Sequence, residues 1–84
     1  MKLLYFAWVR QKTGVAEEEF TPPGPVATVA QLMEALKARG GGFADAFSDP
    51  RRLRCAVNQT HVGLEAGLQP GDEVAFFPPV TGGR

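Results

Sequence analysis

Only one stretch of this sequence is long enough and periodic enough to form a full helix: TVAQLMEALKARG, residues 28–40. Val29, Leu32, Met33 and Leu36 recur at helical spacing and make one apolar stripe. Thr28 and Gln31 have capping-box spacing, in which each side chain bonds a free amide of the first turn. Lys37 and Arg39 sit near the negative end of the helix dipole, and Gly40 is a natural stop. A single amphipathic helix cannot enclose a core, so the rest of the chain must supply a sheet for it to cover.

The runs on either side read as strands. KLLYFAWVR, near the N-terminus, is short and rich in aromatic and branched residues. Its alternate sets, Leu3, Tyr5, Ala7, Val9 and Leu4, Phe6, Trp8, are both apolar, which predicts a central strand. QKTG is expected to turn, and VAEEEFT to form a weaker edge strand stopped by PPGP. GGFADAFSDP predicts a loop with one helical turn around Phe43 to Phe47. RLRCAVNQTHV predicts two strands about a turn at Asn58 and Gln59, and GLQPGD a further turn. EVAFFPPV predicts the last strand, ended by Pro78 and Pro79, which cannot donate ladder hydrogen bonds.

Strand, strand, helix, strand, strand, strand is the order of an α+β protein: a mixed sheet of about five strands with one main helix on one face. The β-grasp arrangement of ubiquitin satisfies it, whereas a ferredoxin-like split βαβ would need a second full helix. The expected organisation is one β-grasp domain over residues 1–79 and an extended, flexible C-terminal tail over 80–84. At 84 residues there is room for no second domain.

Nine basic and nine acidic residues cancel, which argues against a general binder of nucleic acid or of membrane surfaces. Cys55 is the only cysteine, so an intramolecular disulfide is impossible and no cysteine-based zinc site is spelled out. That fits a reducing cytoplasm. The apolar run LLYFAWV is seven residues long, far short of the roughly 20 that a membrane helix needs. It also lacks a small-residue cleavage site, and a cytoplasmic location is expected.

Side chains offer little for catalysis. His61 is the only histidine and lies beside a turn, where a surface role is expected. Cys55, within an apolar strand, reads as a small buried hydrophobe. Glu17, Glu18 and Glu19 read as a solvated face. Gly40, Gly41 and Gly42 follow a helix instead of preceding one, which makes them a helix stop and a loop and not a phosphate cradle.

The C-terminus is different. In PPVTGGR the prolines stiffen the exit from the sheet, and Gly82 and Gly83 can enter a channel too narrow for any side chain. Val80 to Gly83, fully extended, reaches more than about ten ångströms. Such a tail suits delivery of a main-chain carboxylate into another protein's active site.

AVNQTHV followed by GDEVAFFPPVTGG, with the opening LLYFAWVR and the helix in its place, closely resembles the small subunits of molybdopterin synthase, ubiquitin-like sulfur carriers. The resemblance covers nearly the whole chain, and FFPPVTGG is its specific part. It implies a carrier that is no enzyme by itself, the catalytic side chains belonging to a large subunit in an elongated heterotetramer. An adenylating enzyme resembling ubiquitin activators would join the terminal carboxylate to AMP from ATP, and a sulfur donor protein would displace AMP. The sulfur, held as a thiocarboxylate on Gly83, would pass to cyclic pyranopterin monophosphate in molybdenum cofactor biosynthesis. Gly82, Thr81 and Val80 would thread the partner's active site. No cofactor or metal is expected to be bound, and no nucleic acid or membrane partner.

Phe6, Trp8, Phe76 and Phe77 are the candidates for docking the partner, about half of them expected to be core instead. Arg84 departs from the family's Gly-Gly ending. It moves the carboxyl about 3.5 Å further along an extended chain, and removal by a peptidase is expected, with an added remnant or a carrier inactive as written as the rival explanations. A carrier for thiamine or another pathway, a ubiquitin-like protein modifier, and a plain binding module are the alternatives.

Overall fold

The computed structural model describes residues 1–22 and 24–79. Along the chain run β1 (Lys2–Tyr5), α1 (Ala7–Thr13), β2 (Glu17–Glu19), α2 (Val29–Lys37) and α3 (Gly41–Ala46). A 3-10 turn (Pro50–Arg52) then leads to β3 (Arg54–Val57), β4 (Thr60–Val62) and β5 (Glu73–Phe77). The strands form one mixed sheet in the order β2-β1-β5-β3-β4. β1 and β5 are parallel neighbours, and every other pairing is antiparallel. This is the β-grasp α+β architecture expected from the element order.

Helix α2 covers one face. Val29, Leu32, Met33 and Leu36 are all buried, as their spacing requires, and join Leu3, Tyr5, Cys55, Val74 and Phe76 in one core cluster. Each such side chain taken from water contributes about 1.5–3 kcal/mol, offsetting the entropy of ordering the chain. Thr28 caps the helix by accepting from the Gln31 amide at 3.3 Å. Gln31 reaches back one residue further than the usual box, its Oε1 accepting from the Ala27 amide at 2.7 Å.

Three expectations need correction. The N-terminal run does not stay a strand through Arg10: it ends at Tyr5, and Ala7–Thr13 is helical. Ala7 adopts φ 54, a left-handed turn that breaks the ladder, and Gly14 at φ 82 closes the helix, so QKTG is a helical end and not a separate turn. A run that is apolar on every side fits either period, which is why its composition misleads. Residues 41–46 form α3 two residues ahead of the expected helical turn. Gly42 makes that possible: an added Cβ would collide with the Lys12 carbonyl, so only glycine lets α3 seat on the end of α1.

Other elements follow the sequence closely. Asn58 (φ 51) and Gln59 (φ 71) form the two-residue hairpin turn between β3 and β4. Asn58 also clips the turn to the start of β5, its Oδ1 accepting from the Glu73 amide and its Nδ2 donating to Asp72, both at 3.0 Å. Among the described residues no helix is long and apolar enough to cross a membrane.

Candidate functional site

Because β1 and β5 run parallel, both end at the same edge of the molecule. The Phe6 amide donates to the Phe76 carbonyl at 3.1 Å, and Arg54 lies opposite Phe77 in the β3–β5 register. The chain therefore leaves the sheet at Phe77, Pro78 and Pro79 between Phe6 on one side and Arg54 on the other. This exit is the last described point before the tail. Val80, Thr81, Gly82, Gly83 and Arg84 lie outside the described residues.

The four aromatic candidates do not share a surface. Phe76 points into the core and is 0% exposed, packed edge-on to Phe47 at 4.9 Å between ring centroids and stacked with Tyr5 at 6.2 Å. It can therefore touch no partner. Phe77, the next residue, points to the opposite face and is half-buried. Phe6 is 48% exposed. Trp8 is half-buried on α1, packed against the core and capped by the Arg52 guanidinium 4.8 Å above its ring.

The face of the sheet not covered by α2 follows from the same register. Leu4, Ala75 and Ala56 lie side by side across β1, β5 and β3, and His61 continues the row on β4. Phe77 and Arg54 form the next row toward the exit. His61 is exposed, with its ring 5.2 Å from that of Phe77, and belongs to this surface. Leu4, Ala56 and Ala75 escape a sequence reading because their face depends on a strand boundary that composition obscures. The stacking of Arg52 on Trp8 joins residues far apart in the chain and leaves no sequence signal.

The remaining polar groups are structural. Glu18 is not simply solvated: its Oε2 accepts from the Tyr5 hydroxyl at 2.7 Å and from Arg39 Nη1 at 2.8 Å. Arg39 in turn lies 3.9 Å from the Phe43 ring centroid, a cation–π contact that holds α3 near the end of α2. Burial pushes the Glu18 carboxyl up, but hydrogen bonds from Arg39 and Tyr5 outweigh it and leave it below its ordinary value. The Tyr5 phenol is driven strongly upward, first by burial and then by Glu18. The pair is thus locked in opposite protonation states and moves no proton near neutrality. Cys55 is buried, and burial pushes its thiol up to about 12, so it is no nucleophile at neutral pH. Among the described residues no group of three histidine, cysteine or acidic side chains could hold a metal.

What the described residues build is thus an apolar open face leading to an aromatic and cationic exit for the C-terminal segment. A family model described as the ThiS family matches residues 3–83, from β1 through the paired glycines. The chain belongs to the ThiS family. Over 83 residues this ThiS-family chain is 45% identical to the molybdopterin synthase sulfur carrier subunit of Escherichia coli, a match covering 99% of each chain. Its fold is similar to SAMP1 from Haloferax volcanii, with a TM-score of 0.72 at 26% identity over 99% of this chain and 98% of that one. A chain of the BexX/CysO complex from Amycolatopsis orientalis superposes with a TM-score of 0.70 at 26% identity, covering 98% of both chains.

Proposed function

We propose that this protein is the sulfur carrier subunit of molybdopterin synthase and that its working group is the main-chain carboxyl of Gly83. One observation carries the reading: the full-length match to a subunit of that name, within a family match that reaches Gly83 and stops short of Arg84. In this reading a peptidase removes Arg84. An adenylating enzyme then uses ATP to join the Gly83 carboxylate to AMP, releasing pyrophosphate. A sulfide-level sulfur from a donor protein attacks the activated carbonyl carbon, AMP leaves, and a thiocarboxylate remains.

The body of the protein supplies position. Pro78 and Pro79 hold the exit direction, and the thin Val80–Gly83 segment enters the large subunit. There the sulfur passes to cyclic pyranopterin monophosphate, two transfers making one dithiolene. Catalytic side chains belong to the large subunit, and Phe6, Trp8 and Phe77 serve as docking contacts. The occurrence of a similar fold in the BexX/CysO complex supports pairing with a protein partner.

The test is a single-turnover assay with chains ending at Gly83 as carboxylate or as thiocarboxylate, mixed with the large subunit and cyclic pyranopterin monophosphate. Product is expected only from the thiocarboxylate, at one dithiolene per two carriers consumed. A thiocarboxylate that yields none contradicts the reading. Lysine-linked conjugates formed with the activating enzyme alone would instead favour a protein modifier.

A further inference from the structure

The exit end of the molecule carries a charge imbalance that the family match leaves unexplained. Away from this end Lys2 pairs with Glu17 and Arg39 with Glu18, while Arg10 and Lys37 have no carboxylate within 4 Å among the described residues. At the exit, Arg51 is held by Asp49 and Lys12 by Asp45. Arg52 and Arg54 have no carboxylate within 4 Å among the described residues, although both are exposed. Lys12, Arg51, Arg52 and Arg54 thus set four cations against two carboxylates at this end.

Arg52 and Arg54 are held in place. The Arg52 guanidinium lies over the Trp8 ring, 4.8 Å from its centroid, and Arg54 Nη1 donates to the Leu53 carbonyl at 2.9 Å and to that of Arg51 at 3.3 Å. Guanidinium groups fixed before docking lose less entropy on binding than free side chains do. At the opposite end of the same strands, the β1 register puts Lys2 beside Glu19 and Glu73, and Asp72 follows in the adjoining turn. That end sets Lys2 and the N-terminal ammonium against three carboxylates, so among the described residues the excess of positive charge lies where the chain leaves the sheet.

We infer that Arg52 and Arg54 form a cationic collar around the tail exit that docks on an acidic protein surface bordering the cleft which receives the tail. The inference rests on the sulfur-carrier reading and names the chemistry of its partner's rim. A protein occupant fits better than a nucleic acid, because the collar continues directly into the apolar surface of Phe6, Phe77 and Leu4. A nucleic-acid track would need further cations where Glu17 and Glu19 stand. Opposed charges at the rim act chiefly on the rate and orientation of encounter, so the collar would bring the tail to its cleft end-first.

The experiment measures association of the chain ending at Gly83 with the purified large subunit of molybdopterin synthase from the same organism, by stopped flow from about 50 to about 500 mM salt. Wild type is expected to slow as salt rises. R52E/R54E is expected to associate at least about tenfold more slowly at the lowest salt, with a flattened salt dependence and little change in dissociation rate. R52K/R54K keeps the charge and is expected to retain the wild-type salt slope. K37E alters an exposed cation on α2 and is expected to behave as wild type, which separates the collar from net charge. Equal association rates and salt slopes for wild type and R52E/R54E overturn the inference. Collar-dependent binding of single-stranded RNA without binding of the large subunit overturns it in favour of a nucleic acid. A wild-type chain that binds no large subunit, with R52E/R54E equally silent, rejects the sulfur-carrier reading itself and the proposed occupant with it.

Discussion

The two faces of the sheet are cut from the same strands, yet they serve opposite ends. Leu3, Tyr5, Cys55, Val74 and Phe76 face α2 and are at most 5% exposed. Leu4, Ala75, Phe77, Arg54 and His61 alternate with them and remain accessible, while Ala56 lies beneath its neighbours in the same row. Phe76 and Phe77 make the contrast sharpest, since neighbouring residues of one type are assigned to the core and to the open face by the pleat alone. The comparison teaches that aromatic content in such a strand says nothing about docking until the register is known.

Substitutions on the two faces should separate these roles. The largest effect is expected from Phe76→Ala, which empties a core site and should lower unfolding free energy by about 3–5 kcal/mol, read as a shift in urea midpoint. Phe77→Ala should cost less than about 1 kcal/mol of stability while weakening binding to the large subunit. Equal stability losses at the two positions would break the distinction. Gly42→Ala comes next, at about 2–3 kcal/mol, because its methyl meets the Lys12 backbone and must push α3 off α1.

A smaller effect is expected at the polar clasp. Tyr5→Phe should cost about 1–2 kcal/mol near pH 7 by removing a hydrogen bond to a charged carboxylate. The Glu18 carboxyl is held below its ordinary value of 4.5, so its contribution is present above that value and lost as pH falls through the folded value. The stability gap between wild type and Glu18→Gln should therefore narrow between about pH 7 and about pH 3 in urea titrations. An unchanged gap would remove the clasp from the account. The smallest effect is a gain: Ala7→Gly relieves a left-handed alanine at φ 54 and should raise the melting temperature, a gain of at most about 1 kcal/mol.

Much of this fold was legible in advance. The stripe of α2, the hairpin at Asn58 and Gln59 and the proline stop of β5 each carry a local signal that tertiary contacts leave intact. The N-terminal run did not, because LLYFAWV is apolar at every period and its break lies in the backbone of Ala7, which no side chain announces. Glu18 looked solvated because its partners, Tyr5 and Arg39, come from distant elements. Of the four aromatic candidates, Phe6 and Phe77 are accessible at the exit and Phe76 lies in the core, a division set by the pleat, and the contact of Arg52 with Trp8 joins elements that no local pattern connects.

The measurement that bears most directly on the central claim is the intact mass of the protein recovered from its own cells while molybdenum cofactor is being made, with fragmentation of the C-terminal peptide. The account predicts a chain lacking Arg84, with one oxygen of the Gly83 carboxyl replaced by sulfur. A population that keeps Arg84 and carries no sulfur while cofactor accumulates would contradict it.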